Sequence, residues 1–233
     1  MAKANEIAYI EEVARLNDVP LADFEKYLLN KPFSDPRCHE YLMDAAQIMS
    51  FLPPAPAKVL DVGVGSGWTS ELFAKAGYEV TGIDISPDMI ELAKHRNCNA
   101  SFLVSDYEVG PIFGKFDAAV IYDALHHADN ELLVITNIFN ALVPGGALIT
   151  IEPGRGHSTS ESSISAVSKY GTTEKDMPYR HQRTLMRRAG FESVRQHPRA
   201  SSLRNSILRG MIEPLRLAMG ASSVVVATKS QSG

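Results

Sequence analysis

A carboxylate, Asp61, stands two residues ahead of three spaced glycines in the run Lys58-Val-Leu-Asp-Val-Gly-Val-Gly-Ser-Gly67. An apolar stretch that breaks into a glycine-rich turn and then a helix lets backbone approach a small charged ligand closely. Dinucleotide turns space their glycines G-x-G-x-x-G, whereas these run Gly63-x-Gly65-x-Gly67. Asp61 opposes a pyrophosphate and attracts an ammonium group, so a ligand with an amino-acid end fits better. Asp84 ends the next apolar stretch, placed to accept from both hydroxyls of a ribose. Asp106, beside Tyr107, ends a third and can accept from an adenine amino group.

A second set of groups could move a proton. Tyr122-Asp-Ala-Leu-His-His-Ala-Asp129 holds two adjacent imidazoles, which titrate close to pH 6.5. Neighbours in a turn point in different directions, so one of the pair is expected to face a cavity. His127 is the preferred base, with His126 the other candidate and Asp123 a cofactor contact or an orienting group. The glycine-rich run Ile151-Glu-Pro-Gly-Arg-Gly-His-Ser158 adds Glu152 and His157 as alternative bases and Arg155 as an acceptor contact. Arg155, Arg180, Arg183, Arg187 and Arg188 would suit a phosphate or carboxylate on the acceptor.

These residues need a scaffold. Apolar positions recur at helical spacing through the first 50 or so residues, until Leu52-Pro-Pro-Ala-Pro-Ala57 ends the helices. Strands are then expected at 59–62, 79–83, 100–104, 116–122 and 147–151, alternating with helices at 69–76, 87–95 and 131–142. Such alternation implies a parallel sheet with right-handed crossovers and helices on both faces. Beyond Ile151 a Ser- and Gly-rich loop, with a short helix as an alternative within it, spans 154–170, a helix 180–189, strands 191–197 and 223–228. The insertion at 200–221 carries Leu203, Ile207, Leu208, Met211, Leu215 and Met219, with Arg204, Arg209 and Arg216 among them. A lid or a homodimer contact is expected there, because Glu213-Pro214 should break a long amphipathic face. One domain is expected over 1–233: a helical cap (1–51), a cofactor-binding half (52–152) and an acceptor-side half (153–233).

The chain has 233 residues, 45% of them hydrophobic, and a formal net charge of −4. Residues 1–150 hold 10 Lys and Arg against 21 Asp and Glu, a formal −11, and residues 151–233 hold 13 against 6, a formal +7. Two distant cysteines, no secretory leader and no apolar run of about 18 residues lead to an expected cytoplasmic location without membrane insertion.

Amino acid, ribose and adenine together describe S-adenosylmethionine. The runs 59–67, Val80-Thr-Gly-Ile-Asp-Ile-Ser-Pro-Asp-Met89, Ser105-Asp106, 116–122 and Leu142-Val-Pro-Gly-Gly146 resemble the class I S-adenosylmethionine-dependent methyltransferases. That resemblance implies a Rossmann-like, mostly parallel sheet of seven strands. It assigns Asp61, Gly63, Gly65 and Gly67 to the methionine end, Asp84 to the ribose, Ile85 and Met89 to the adenine faces, and Asp106 with Tyr107 to the adenine edge. Tyr122 joins the cofactor contacts, and S-adenosylhomocysteine would be the product. Residues 152–158 with 169–176 are similar to methyltransferases of bacterial polysaccharide and glycan gene clusters, which implies a small-molecule or sugar hydroxyl as acceptor.

Amine methylation of bases is disfavoured, because Asp123-Ala-Leu-His stands where those enzymes carry an Asn/Asp-Pro-Pro-aromatic motif. No basic module with interleaved aromatics points to a nucleic acid. A metal site would draw on Asp123, His126, His127, Asp129 and Glu152, but no closed ligand spacing supports one, and none is expected. A cofactor-binding sensor or scaffold, and an N-methyltransferase of a small amine, remain the competing functions.

Overall fold

The computed structural model describes residues 2–203 and 207–231. Four helices come first: α1 (Ala2–Ile7), α2 (Tyr9–Leu16), α3 (Leu21–Leu29) and α4 (Cys38–Phe51). The alternating region follows: β1 (Lys58–Val62), α5 (Trp68–Lys75), β2 (Glu79–Asp84), α6 (Pro87–Lys94), β3 (Ala100–Val104), β4 (Phe116–Tyr122), α7 (Glu131–Ala141) and β5 (Leu142–Glu152). The last part holds α8 (Glu161–Tyr170), α9 (Tyr179–Ala189), β6 (Ser193–Pro198), α10 (Ile207–Ala218) and β7 (Ser223–Thr228). The strands form one sheet in the order β3-β2-β1-β4-β5-β7-β6. Only β7 runs against the others, antiparallel to both β5 and β6.

Both faces of the sheet are covered, which is why β1 and β4 read as near-continuous apolar runs. Alternate residues serve opposite sides. Leu60, Val62, Ala119 and Ile121 pack with Val134, Ile135 and Ile138 of α7 and with Leu185 and Met186 of α9. Val59, Ala118 and Val120 pack with Ile48 of α4 and Phe73 of α5. Local signals set the helix ends. The Ser86 hydroxyl accepts from the Met89 N–H with Pro87 in the first turn, and Asn130 and Ser160 cap α7 and α8 in the same way.

Two elements differ from expectation, and a third takes the helical alternative. β5 begins at Leu142, because the segment before Ala147 is drawn into the ladder by a Phe116–Leu142 pair with a register shift behind it. The Ser-rich stretch becomes α8, started by the Ser160 cap and stopped at Gly171 with φ of 65°. Pro214 sits inside α10 and does not end it, forfeiting one backbone hydrogen bond. Arg204 and the side chains of residues 203 and 207–211 lie outside the described residues.

α4 is tied to the far end of the sheet by a buried charge. The Asp44 carboxylate, fully buried, accepts from Arg199 Nε at 2.9 and 3.0 Å, from Ser201 Oγ at 2.9 Å and from the Tyr122 hydroxyl at 3.0 Å. Removing one member of such a pair leaves the other charge inside the protein. Asp44→Ala is therefore expected to lower stability by about 3–5 kcal/mol, measured by urea unfolding. A loss under about 1 kcal/mol would show that Arg199 regains solvent without cost.

Candidate active site

The sheet order reverses between β1 and β4, whose following loops leave in opposite directions and open a crevice beyond the strand ends. A cavity of about 510 Å³ lies there. Gly63, Ile85, Asp106 and Asp123, each close behind the end of its strand, all line it. Gly63 has φ of 69°, and a Cβ on it would come 2.4 Å from Ala124 Cβ, so only glycine lets the two loops meet. Gly65 is the opposite case: nothing lies within 4 Å of an added Cβ, because its missing side chain faces cavity space.

Asp84 holds this turn in place. One carboxylate oxygen accepts the Gly65 N–H at 2.8 Å and the other accepts the Ser86 N–H at 2.9 Å. Burial raises its pKa against those two hydrogen bonds. Met89 and Tyr107 also line the cavity. Asp106 is paired with Lys3 of α1 at 2.9 Å and accepts the Glu108 N–H at 3.0 Å.

The opposite wall is imidazole. Leu125–His127 forms a single 3-10 turn, and this tight geometry brings both adjacent histidines to the cavity with ring centroids 3.9 Å apart. The expectation that one would turn away is corrected. His126 is buried, and its Nδ1 lies 2.8 Å from Glu152 Oε2. His127 Nδ1 lies 2.7 Å from the Thr173 carbonyl and 3.4 Å from Glu6 Oε1. Burial works against a charge on His127, but Glu6, Glu174 and the Thr173 carbonyl outweigh it and push the imidazole up to about 9. In that charged form it does not accept a proton near neutral pH. His157 also lines the cavity, its Nε2 2.7 Å from Glu174 Oε2.

Four sequence candidates stand behind the cavity wall. Glu152 is buried, with Oε1 accepting the Ala124 and Leu125 N–H groups at 3.0 and 2.8 Å and Oε2 taken up by His126, which leaves it a brace for the turn. Asp61, 2% exposed, accepts from the Thr69 and Ser70 hydroxyls at 2.6 and 2.7 Å and so anchors the start of α5. Gly67 caps that helix with φ of 80°, close against Ala93. The Tyr122 ring packs between Tyr41 and Trp68, with its hydroxyl on Asp44.

Other wall residues come from segments that carried no motif. Lys3, Glu6 and Tyr9 arrive from α1 and α2, and Lys31 and Arg37 from the α3–α4 connection. Asn5 Nδ2 donates to the Gly171 carbonyl at 3.1 Å, and Tyr9 meets Tyr170 edge-on, so the first helices close against α8 over the cavity. Thr172 and Glu174 belong to the stretch 169–176, whose resemblance was the one available signal. Arg155, Arg180, Arg183, Arg187 and Arg188 are not part of the wall; among the described residues its Lys and Arg side chains are Lys3, Lys31 and Arg37. The Lys31 ammonium lies 5.8 Å from the centroids of both Tyr27 and Tyr41, and burial lowers its pKa.

This sheet order, with its reversed last strand and a glycine turn at the switch point, is the fold of the class I S-adenosylmethionine-dependent methyltransferases. Residues 59–146 match the family described as Methyltransferase domain. The ubiquinone biosynthesis O-methyltransferase of Xanthomonas axonopodis pv. citri (strain 306) is 36% identical over 104 residues, 42% of this chain and 43% of that protein. The chain thus spans less than half the length of the curated relatives it matches. Among solved structures, a Haloferax volcanii methyltransferase in complex with the Trm112 activator superposes with a TM-score of 0.66 at 17% identity, covering 88% of this chain and 97% of the other. Magnesium protoporphyrin IX methyltransferase from Synechocystis PCC 6803 with bound S-adenosylhomocysteine gives 0.58 at 21% identity, covering 82% and 84%.

Asp61 gives a prediction about pH. Burial, with Asp84 nearby, lifts its carboxyl to about 6 against the Thr69 and Ser70 hydrogen bonds, from an ordinary value of 3.8. The unfolded chain therefore releases this proton at lower pH than the folded one, so Asp61 costs stability progressively as pH rises from about 4 to 6, by about 3 kcal/mol above that window. Asp61→Asn is expected to gain stability relative to the parent across that interval, followed by thermal unfolding at several pH values. A difference between the two proteins that does not change with pH would rule out a raised Asp61.

Proposed function

We propose that the protein transfers a methyl group from S-adenosylmethionine to a hydroxyl of a small acceptor, releasing S-adenosylhomocysteine. The observation that carries this reading is the convergence on one cavity of the Gly63–Gly65 turn, the carboxylates Asp84 and Asp106, and the wall of histidines. The open space at Gly65 fits close backbone approach by a ligand. Thr172 Oγ1, a buried cavity-wall hydroxyl without a hydrogen-bond partner among the described residues, is a group that a bound molecule would satisfy.

The cofactor is S-adenosylmethionine, which supplies an electrophilic methyl on a sulfonium. The chain's own part is to hold, align and deprotonate. Asp84 receives the ribose hydroxyls, Ile85 and Met89 flank the adenine, and Asp106 with Tyr107 meets its edge. The hydroxyl proton leaves at the imidazole wall, where Glu152 fixes the His126 ring and leaves its Nε2 toward Glu174, 3.7 Å away. Helices α1 and α2, with the α3–α4 connection, act as the cap that keeps water out. The curated relatives cited act at oxygen, as their names state, which favours a hydroxyl over an amine. Lys31 and Arg37 favour an acceptor with a phosphate or carboxylate, such as a substituted sugar.

Asp84→Ala is expected to weaken S-adenosylhomocysteine binding by about 3 kcal/mol, more than a hundredfold, in calorimetry. Gly65→Ala should lose affinity, because its Cβ enters the ligand's space and its φ of 52° strains an alanine by about 1–2 kcal/mol. His126→Ala should retain binding while turnover falls by about 10²–10⁴. Mass spectrometry against hydroxyl, amine and carboxylate acceptors reads the product, and a protein that binds the cofactor yet methylates none of them is a sensor, not a transferase.

A further inference from the structure

We infer that the imidazole wall is a binding site for a divalent transition-metal ion, held by His126, His127 and Glu174. One nitrogen of each imidazole and one Glu174 oxygen lie within 4.8 Å of one another, a separation that a single ion can bridge. His126 Nε2 is 3.7 Å from Glu174 Oε2.

The second nitrogens make the stronger argument. A ligating imidazole almost always donates its other N–H to a carboxylate or a backbone carbonyl, which fixes both tautomer and ring direction. His126 Nδ1 has the buried Glu152 carboxylate at 2.8 Å, and His127 Nδ1 has the Thr173 carbonyl at 2.7 Å. His126 is thereby held with the Nε2 lone pair toward Glu174, whereas His127, charged in the metal-free protein, must release a proton to become a ligand. Glu174 is oriented in turn by His157, 2.7 Å away.

Charge points the same way. Glu6, Glu152 and Glu174 surround these imidazoles, and among the described residues no Lys or Arg lies within 4 Å of any of the three carboxylates. Two histidines and one carboxylate facing a cavity leave coordination positions open, a donor set suited to zinc, iron(II), cobalt(II) or manganese(II). An ion there would bind the acceptor oxygen and lower the pKa of its hydroxyl, so the proton passes to solvent water as the oxygen takes the methyl, and neither ligating imidazole has to act as base. That catalytic role rests on the methyl-transfer reading; the binding itself does not.

The test uses purified full-length protein stripped with a chelator and titrated with cobalt(II), without cofactor or acceptor. One equivalent per chain is expected, with visible d–d absorption. Glu174→Gln, which keeps the side-chain volume, should weaken binding at least about a hundredfold, and His126→Ala should abolish the absorption; circular dichroism and S-adenosylhomocysteine affinity report that each variant is folded. No stoichiometric binding by the parent, or binding that survives in both variants, overturns the site. Methyl transfer that persists in chelator overturns the metal's role and leaves the proposed function intact, whereas one bound cobalt with no S-adenosylhomocysteine affinity overturns the proposed function and leaves the site.

Discussion

A single buried carboxylate sets the geometry of the imidazole side of the cavity. Glu152 ends β5 at 1% exposure, and its two oxygens gather the Ala124, Leu125 and His126 N–H groups and the His126 ring. A carboxylate away from water is tolerated only with such donors, and four of them hold the charge without any Lys or Arg. The consequence reaches beyond stability. The strand that carries Glu152 dictates where the turn after β4 stands, and that turn dictates where two imidazoles face.

The opposite side of the crevice rests on a complementary arrangement of glycines and carboxylates. Gly63 permits contact with the Ala124 loop, Gly65 leaves room, and Gly67 allows α5 to start against Ala93. Asp84 bridges the turn to the start of α6 through two backbone N–H groups, and Asp61 does the same for α5 through two hydroxyls. These groups preorganise the crevice, so a ligand entering it meets fixed backbone in place of a loop that must be ordered.

Much of the fold was legible because its signals are local. Six of the seven strands fall close to where apolar runs and breakers place them, and Ser86-Pro87 announces its helix through a cap that needs only neighbours. β5 was harder, since its early start depends on a partner strand. Among site residues, Gly63, Gly65, Asp84, Asp106, Tyr107 and the two histidines reach one cavity. Asp61, Gly67, Tyr122 and Glu152 carry the right chemistry but spend it on neighbours. Whether a carboxylate faces a ligand or a backbone amide depends on a few ångströms of burial that no motif encodes.

By itself the sequence determined the scaffold and the glycine turn, because hydrophobic period, caps and glycine spacing act over a few residues. Only the tertiary structure decided the imidazole wall. Glu6, His126, His127, His157 and Glu174 come from segments separated by up to 168 positions and meet because the first helices and the α8–α9 connection fold over the same crevice. Spacing along a chain cannot report such a meeting. It is fixed by the packing of elements whose own signals concern only their cores.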